Sequence, residues 1–323
     1  MTNSYRVCMI VCLGIVSGNR MTMIVAFGNP VYDEIITPVV STGGRVLSGC
    51  STNACLALSR LGRTTALVGR VGPDYADRFQ SDLLRYGITP FVSLSAQTGG
   101  FKLVYDTRGD RTLDVLGVAE PIQTVPDIVT SASAVIVGPI LQETPLDLIR
   151  SIRDRTDAPI FLDPQGLLRR FGVDGRIEHF LPDDFAAIAP LCHVIKANEV
   201  ETKVITGIDP RVDPAAAARR LRETGCAIAI VTIAEAGSHI DDGERSIPVP
   251  AYATDARDPT GAGDTYMAGF IHSYLSAPHD LFRAGCTGAA TASIWIEYTG
   301  PDAPISLGEV ERRTMSLLLQ SKL

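Results

Sequence analysis

The residues best equipped for chemistry lie near the C-terminal end, in the run Asp258-Pro-Thr-Gly-Ala-Gly-Asp264-Thr-Tyr-Met-Ala-Gly-Phe270. Gly261, Ala262 and Gly263 carry almost no side chain, so a ligand can come close to the backbone there, and glycine adopts dihedrals that turn successive N–H groups the same way. Such a loop cradles an anion. Residues 265–271 read as the first turns of a helix whose unpaired amides and positive dipole end face the same ligand, and phosphate is the natural guest. The carboxylate of Asp264, set inside that positive end, serves either as a plain helix cap or as a base beside the bound phosphate. A capping box asks for neither the two glycines and alanine, nor the second carboxylate at Asp258, nor the slim Ala268 and Gly269 of the next turn.

This run resembles the second signature, Asp-Thr-x-Gly-Ala-Gly-Asp, of the ribokinase-like (PfkB) carbohydrate kinases, with Pro259 a permitted variant. The resemblance implies that Asp264 is the catalytic base. It further implies that the amides of Gly261, Ala262, Gly263 and Asp264 form the anion hole for the transferred phosphoryl group, and that Asp258 belongs to the nucleotide side.

Other stretches carry the same resemblance. Ser48-Gly-Cys-Ser-Thr-Asn53, with Gly62 and Gly72 beyond it, matches the family's first signature in spacing, although Ser48, Ser51 and Cys55 replace the usual residues. It implies acceptor contacts from Gly49 and Asn53; read alone, Asn53 is equally a helix cap. Asp33, just past the first strand, is implied to hold a hydroxyl of the acceptor. Asn198-Glu-Val-Glu201 matches the motif Asn-x-x-Glu, which implies a nucleotide-side role for Asn198 and a Glu201 that organises Mg²⁺ through water. The residues by themselves equally fit a helix start where the asparagine caps and two glutamates complement the dipole. Thr232 and Gly237 fit a nucleotide-phosphate turn, Thr-x-Gly-x-x-Gly, in which Ala234 stands for the first glycine. The run 163–169 (Asp-Pro-Gln-Gly-Leu-Leu-Arg) resembles the inositol and nucleoside kinase branches. Its Arg169 reads as a phosphate contact or, as arginines at helix starts usually are, as a solvated side chain.

These residues need a frame, and the chain alternates in the way that builds one. Residues 24–27, closed by Gly28-Asn-Pro30, form a short apolar run that reads as a buried parallel strand. Strands over 65–71, 134–137, 160–163, 194–196 and 227–232, with helices over 75–86 and 146–153, predict an α/β fold. It is a doubly wound, mostly parallel sheet flanked by helices, with ligands at the strands' C-terminal edge. Segments 35–40, 101–105 and 112–115 are strand-like but lack crossover helices, so they form a separate small sheet. They are either ordinary edge hairpins or, as the resemblance implies, a β lid over about 33–47 and 88–116 that covers the acceptor. Residues 1–22 read as an N-terminal extension and 23–323 as one kinase domain. An apolar stretch over 7–16 has the length of a signal-peptide core, but Met21 and Met23 directly before the first strand favour a start-site extension.

Composition narrows the function classes. Lys plus Arg total 29 against 36 Asp plus Glu, with no long basic run, which argues against a nucleic-acid surface. No later segment approaches ~18 uninterrupted apolar residues, so no membrane anchor is expected. Seven cysteines, an odd number with no Cys-x-x-Cys pair, suggest reduced thiols and a cytoplasmic protein. The terminal Ser321-Lys-Leu323 reads as a helix tail or, in a eukaryote, a peroxisomal address. No Gly-x4-Gly-Lys-Ser/Thr and no clean Gly-x-Gly-x-x-Gly occur, which removes the main support for a P-loop enzyme or a dinucleotide-binding dehydrogenase.

The expected activity is transfer of the γ-phosphoryl group of ATP to a hydroxyl of a small polyhydroxylated acceptor: a sugar, a nucleoside or inositol. ATP and Mg²⁺ are the implied cofactors, a monovalent cation such as K⁺ is allowed, and so is a homodimer through the lid. Two alternatives stand beside it: a sugar-phosphate kinase using Arg108 and Arg111 near the lid, and a non-catalytic nucleotide- or sugar-binding regulator on the same fold.

Overall fold

In the computed structural model of the chain, residues 23–106, 111–172 and 176–320 are described. The expected extension over 1–22, Arg108, the side chain of Arg111 and the C-terminal tripeptide lie outside the described residues. Chain order opens with β1 (Met23–Phe27), β2 (Val31–Ile36), β3 (Val46–Ser48), α1 (Cys50–Arg60), β4 (Thr64–Val71) and α2 (Ala76–Arg85). It continues with β5 (Ile88–Leu94), β6 (Gly100–Tyr105), β7 (Arg111–Gly117), β8 (Ala132–Val137), α3 (Leu146–Arg153), β9 (Ile160–Leu162), β10 (Arg169–Phe171), β11 (Ile177–His179) and α4 (Phe185–Ile188). The last third holds β12 (Val194–Ala197), α5 (Glu199–Thr206), α6 (Pro214–Arg222), β13 (Ile228–Thr232), β14 (Ser238–Asp241), β15 (Ser246–Val249), α7 (Ala262–Tyr274), α8 (Leu281–Trp295) and α9 (Leu307–Gln320).

Among the described residues the main sheet has the order β15-β14-β13-β12-β9-β8-β1-β4-β5, parallel from β13 to β5 and antiparallel at β14 and β15. Successive residues of β1 point to opposite faces, as the period of a strand demands. Ile24 and Ala26 pack with Phe270 of α7, Ile294 of α8 and Leu56 of α1 on one side. Val25 and Phe27 pack with Ile149 of α3 and Leu221 of α6 on the other. The central strands are predominantly apolar because both faces are covered, which is why they read as near-continuous runs. Helix α7 is buried nearly all round, and the small residues noticed in the sequence let it close on α8. A Cβ on Gly269 would lie 2.6 Å from the Thr287 carbonyl oxygen, and one on Gly288 would lie 2.8 Å from that of Tyr266.

A second sheet, β3-β2-β6-β7, stands apart from the first, with β2 and β6 parallel and the outer pairs antiparallel. Its boundaries differ from the expected ones in two places. The strand expected over 35–40 runs from Val31 and stops at Ile36. There Pro38 cannot extend the ladder, and Thr37 Oγ1 accepts from the amides of Val39 and Val40 to build a turn. Residues 88–94, expected within the lid, instead form β5, which pairs in parallel with β4 at the edge of the main sheet. Gly87, at φ 69°, ends α2 and returns the chain to that sheet. Val31, Ile35, Phe101, Leu103 and Tyr105 give the small sheet an apolar inner face against Cys50 and Ile140. Among the described residues no helix is long and apolar enough to cross a membrane.

Candidate active site

Four elements converge at the C-terminal edge of β9 and β12: the start of α7, the first turn of α1, the loop after β9 and the end of β12 itself. Gly261 is the residue before α7 and adopts φ 81°, the left-handed conformation that glycine tolerates. A Cβ there would sit 2.8 Å from Trp295 Nε1 and 2.9 Å from Asn53 Nδ2, so the turn is closed on both sides. The loop ahead of it is fixed by Asp258, whose Oδ1 accepts from Thr260 N at 2.9 Å, and by Trp295 Nε1, which donates to the Thr260 carbonyl at 2.8 Å. Tyr105 at the end of β6 shares a 2.9 Å hydrogen bond with Thr260 Oγ1, tying the small sheet to this loop.

Asp264 caps nothing: the start of α7 has no side-chain cap. Its carboxylate turns into the protein, where Oδ2 accepts from Asn53 Nδ2 at 2.9 Å and Oδ1 from Gln165 Nε2 at 3.4 Å. Burial, with the charge of Asp163 beside it, raises the pKa of Asp264, while Lys196 and the Asn53 and Cys50 hydrogen bonds oppose the rise. A carboxylate with raised proton affinity is a better base than a solvated one. Asn53 is likewise no cap. It lies inside α1, whose N-cap is Gly49 at φ 119°, and its side chain is spent on Asp264. Gly49 is confined too, since a Cβ would lie 3.1 Å from the Asn29 carbonyl oxygen.

Lys196 and Asp163, which sequence reasoning gave no role, complete the centre. Lys196 Nζ lies 2.5 Å from Asp163 Oδ2, and each side chain is 3% exposed. Cys50 Sγ and carboxylate oxygens of Asp163 and Asp264 all lie within 4.8 Å of one another. That trio does not suit direct Mg²⁺ ligation, because a thiol is a soft ligand and Asp163 is engaged by an ammonium. Arg169 is buried rather than solvated. Its Nη2 donates to Gln165 Oε1 at 2.8 Å, so Gln165 bridges Arg169 to Asp264.

The other expected residues take defined places. Asn198 and Glu201 form a full capping box on α5: Glu201 N donates to Asn198 Oδ1 at 3.0 Å, and Asn198 N and Nδ2 donate to the two Glu201 oxygens at 2.9 and 2.7 Å. Glu201 is nevertheless deeply buried, and burial plus the Asp163 charge raise its pKa against Lys196. Asp33 sits at the seam of the small sheet, where Oδ1 accepts from Phe101 N at 2.7 Å. Thr232 and Gly237 flank the turn from β13 to β14, beside a groove of about 370 Å³ lined by Ile233, Ala236, Ser238 and Val249. Gly237 adopts φ 91°, and Ala234 is held at φ 43°. Sequence reasoning also missed Glu143, whose buried carboxylate gathers the amides of Asn29, Ile140 and Leu141 at 2.7–3.0 Å.

The sequence model for pfkB family carbohydrate kinases matches residues 9–307. The chain belongs to this family. It is a phosphotransferase, and its curated relatives are named as kinases. An uncharacterized sugar kinase of Archaeoglobus fulgidus is 30% identical over 255 residues, covering 76% of this chain and 96% of that protein. The cytidine kinase of Thermococcus kodakarensis is 26% identical over 263 residues, covering 79% and 89%. Among solved structures, a pyrophosphate-dependent kinase in the ribokinase family, complexed with a pyrophosphate analog and myo-inositol, aligns with a TM-score of 0.75 at 20% identity. That alignment covers 90% of this kinase and 99% of the other chain, and it shows that the two share a fold.

Proposed function

We propose that this kinase moves the γ-phosphoryl group of ATP onto a hydroxyl of a small polyhydroxylated acceptor, a sugar, a nucleoside or inositol, with Asp264 as general base. One observation carries the reading. Asp264 stands at the start of a helix yet is withheld from capping it, buried and aimed by two side-chain amides. In the step, Asp264 takes the acceptor hydroxyl proton, the acceptor oxygen bonds to the γ-phosphorus, and the bridging bond to the β-phosphate breaks to release ADP. Such transfers ask chiefly for alignment and charge neutralisation. The amides of Gly261, Gly263 and Asp264 form the cradle; Ala262, whose amide donates to the Pro259 carbonyl, contributes its small size. The apolar inner face of the small sheet, latched by Tyr105, excludes water from the transfer. Asp33, Gly49 and Asn53 line the acceptor side, and Asn198, Thr232, Gly237 and Asp258 the nucleotide side. A divalent cation, when bound, neutralises the donor phosphates. The hard carboxylate of Glu201, in a cluster richer in carboxylates than in cations, fits a role in orienting its water shell.

The relatives supply the acceptor classes, since a cytidine kinase, a ribokinase and an inositol 3-kinase are among them. A panel of sugars, nucleosides, inositol and sugar phosphates, followed by ADP release, tests the proposal. Turnover with one neutral class is expected. ATP-induced stabilisation without turnover of any acceptor would mean a binding protein instead.

A further inference from the structure

Trp295 closes α8 and is the only tryptophan of the chain. The residue is 3% exposed, and its indole Nε1 donates to the Thr260 carbonyl oxygen at 2.8 Å. A buried indole N–H needs an acceptor, and for that purpose any carbonyl would serve. The one it takes is not arbitrary. The Thr260 carbonyl and the Gly261 N–H belong to one peptide unit, planar and trans, so they point in opposite directions. Anchoring the carbonyl on the indole therefore fixes the direction of the Gly261 amide. The rest of the loop is held from the same side. The amides of Arg257 and Asp258 both donate to the Ile296 carbonyl, at 2.8 and 3.1 Å, so the end of α8 grips the loop at two points. Thr260 has no polar atom to spare, since its N–H donates to Asp258 Oδ1 and its hydroxyl pairs with Tyr105. The indole ring is fixed in turn. The Arg60 guanidinium stands over it, 6.0 Å from the ring centroid, and donates to the Pro301 carbonyl.

Resting on the phosphoryl-transfer reading above, we propose that Trp295 is a positioning residue of this kinase, whose indole N–H holds the Thr260–Gly261 peptide so that the Gly261 amide faces the phosphoryl group in the cradle. It acts through the peptide and not on the substrate. The first effect is geometric. A peptide unit pivots about its flanking bonds unless one end is anchored, and glycine offers little resistance of its own. The second is electronic. A carbonyl that accepts a hydrogen bond makes the N–H of its own peptide a stronger donor, so the indole and an anion on the cradle reinforce each other. Both effects grow with the charge that develops during transfer, which places the contribution in kcat rather than in KM.

The test separates an indole that aims the peptide from one that merely fills the core. Because the chain has a single tryptophan, replacing tryptophan throughout the protein replaces Trp295 alone. Expression of the full chain with benzothienylalanine keeps the shape of the ring and its stacking on Arg60, and exchanges the N–H for a sulfur that cannot donate. Loss of indole fluorescence measures the extent of replacement. At saturating ATP and acceptor, kcat is expected to fall ~10–10²-fold, less than the ~10²–10³-fold of a donor removed outright, with both KM values within a few-fold of normal. A lower melting temperature with kcat within about two-fold of the wild type is the signature of a core residue only, and would overturn the proposal. Trp295→Phe covers poor folding of the substituted chain: it keeps an aromatic plug without a donor, and assayed well below its melting temperature it should show the same loss in kcat. An unchanged kcat there would also overturn the proposal. A wild type that phosphorylates no acceptor would instead defeat the reading on which the proposal rests.

Discussion

Gly62 and Gly261 offer a matched pair of perturbations. They have nearly the same backbone, φ 79° and φ 81°, and opposite surroundings. A Cβ at 62 meets nothing within 4 Å, whereas one at 261 meets Trp295 Nε1 at 2.8 Å and Asn53 Nδ2 at 2.9 Å. Placing an L-residue in the left-handed region costs about 1–2 kcal/mol, and alanine recovers about 0.4–1 kcal/mol by restricting the unfolded chain. Gly62→Ala should therefore cost roughly 1 kcal/mol or less and leave kcat unchanged. Gly261→Ala carries the same backbone term and also pushes the Asn53 amide off Asp264. Leaving a buried polar group without its partner costs a further ~1–3 kcal/mol. A displacement of the base approaching 1 Å is enough for a ~10²-fold loss in kcat. Urea unfolding of both variants beside steady-state kinetics checks this. Equal destabilisation of the two, with full activity in Gly261→Ala, would refute the claim that Asn53 and the Gly261 turn hold the base in place.

Ala234 sits at φ 43°, so Ala234→Gly should relieve backbone strain and raise stability by up to about 1 kcal/mol; a lower melting temperature would show that the turn is not strained. Glu201 has a pKa raised by burial and Asp163, so its contribution to stability is present below about pH 4.5 and is lost as pH rises through the raised value. Glu201→Gln cannot ionise, so its stability relative to wild type should improve between pH 5 and pH 8, and a constant difference in urea unfolding would contradict the assignment. The same variant should lose turnover chiefly at limiting Mg²⁺ and regain part of it in excess.

Much of the site was legible because it is local. The Gly261–Asp264 turn and the helix after it are contiguous, and the strands that aim them are apolar on both faces, so composition alone marks them. Asn53 was legible only by spacing; its amide reaches Asp264 across 211 residues of chain, which no local pattern specifies. The Asp163–Lys196 pair was hidden for the same reason. It forms because β9 and β12 are neighbours in the sheet, and sheet order is decided by global packing rather than by either strand. Lys196 did leave a trace, a lone charge in the run Val-Ile-Lys-Ala, which asks for a buried partner. Gly263 read as access for a ligand, whereas a Cβ there would also meet the Lys196 ammonium, brought from β12, at 2.6 Å. The edge strand β5 was misplaced because its periodicity says that it is a strand but not which sheet it joins.

The central claim is that Asp264 accepts the proton of the acceptor hydroxyl, and Asp264→Asn tests it most directly. Asparagine keeps the size and one acceptor oxygen for the Asn53 amide, and removing a buried charge beside Asp163 spares the fold an unfavourable burial. The measurement is single-turnover phosphorylation of the preferred acceptor by the folded, ATP-binding variant. A rate ~10²–10⁴-fold below wild type, with ATP binding retained, is the predicted result; a near-normal rate would contradict the account.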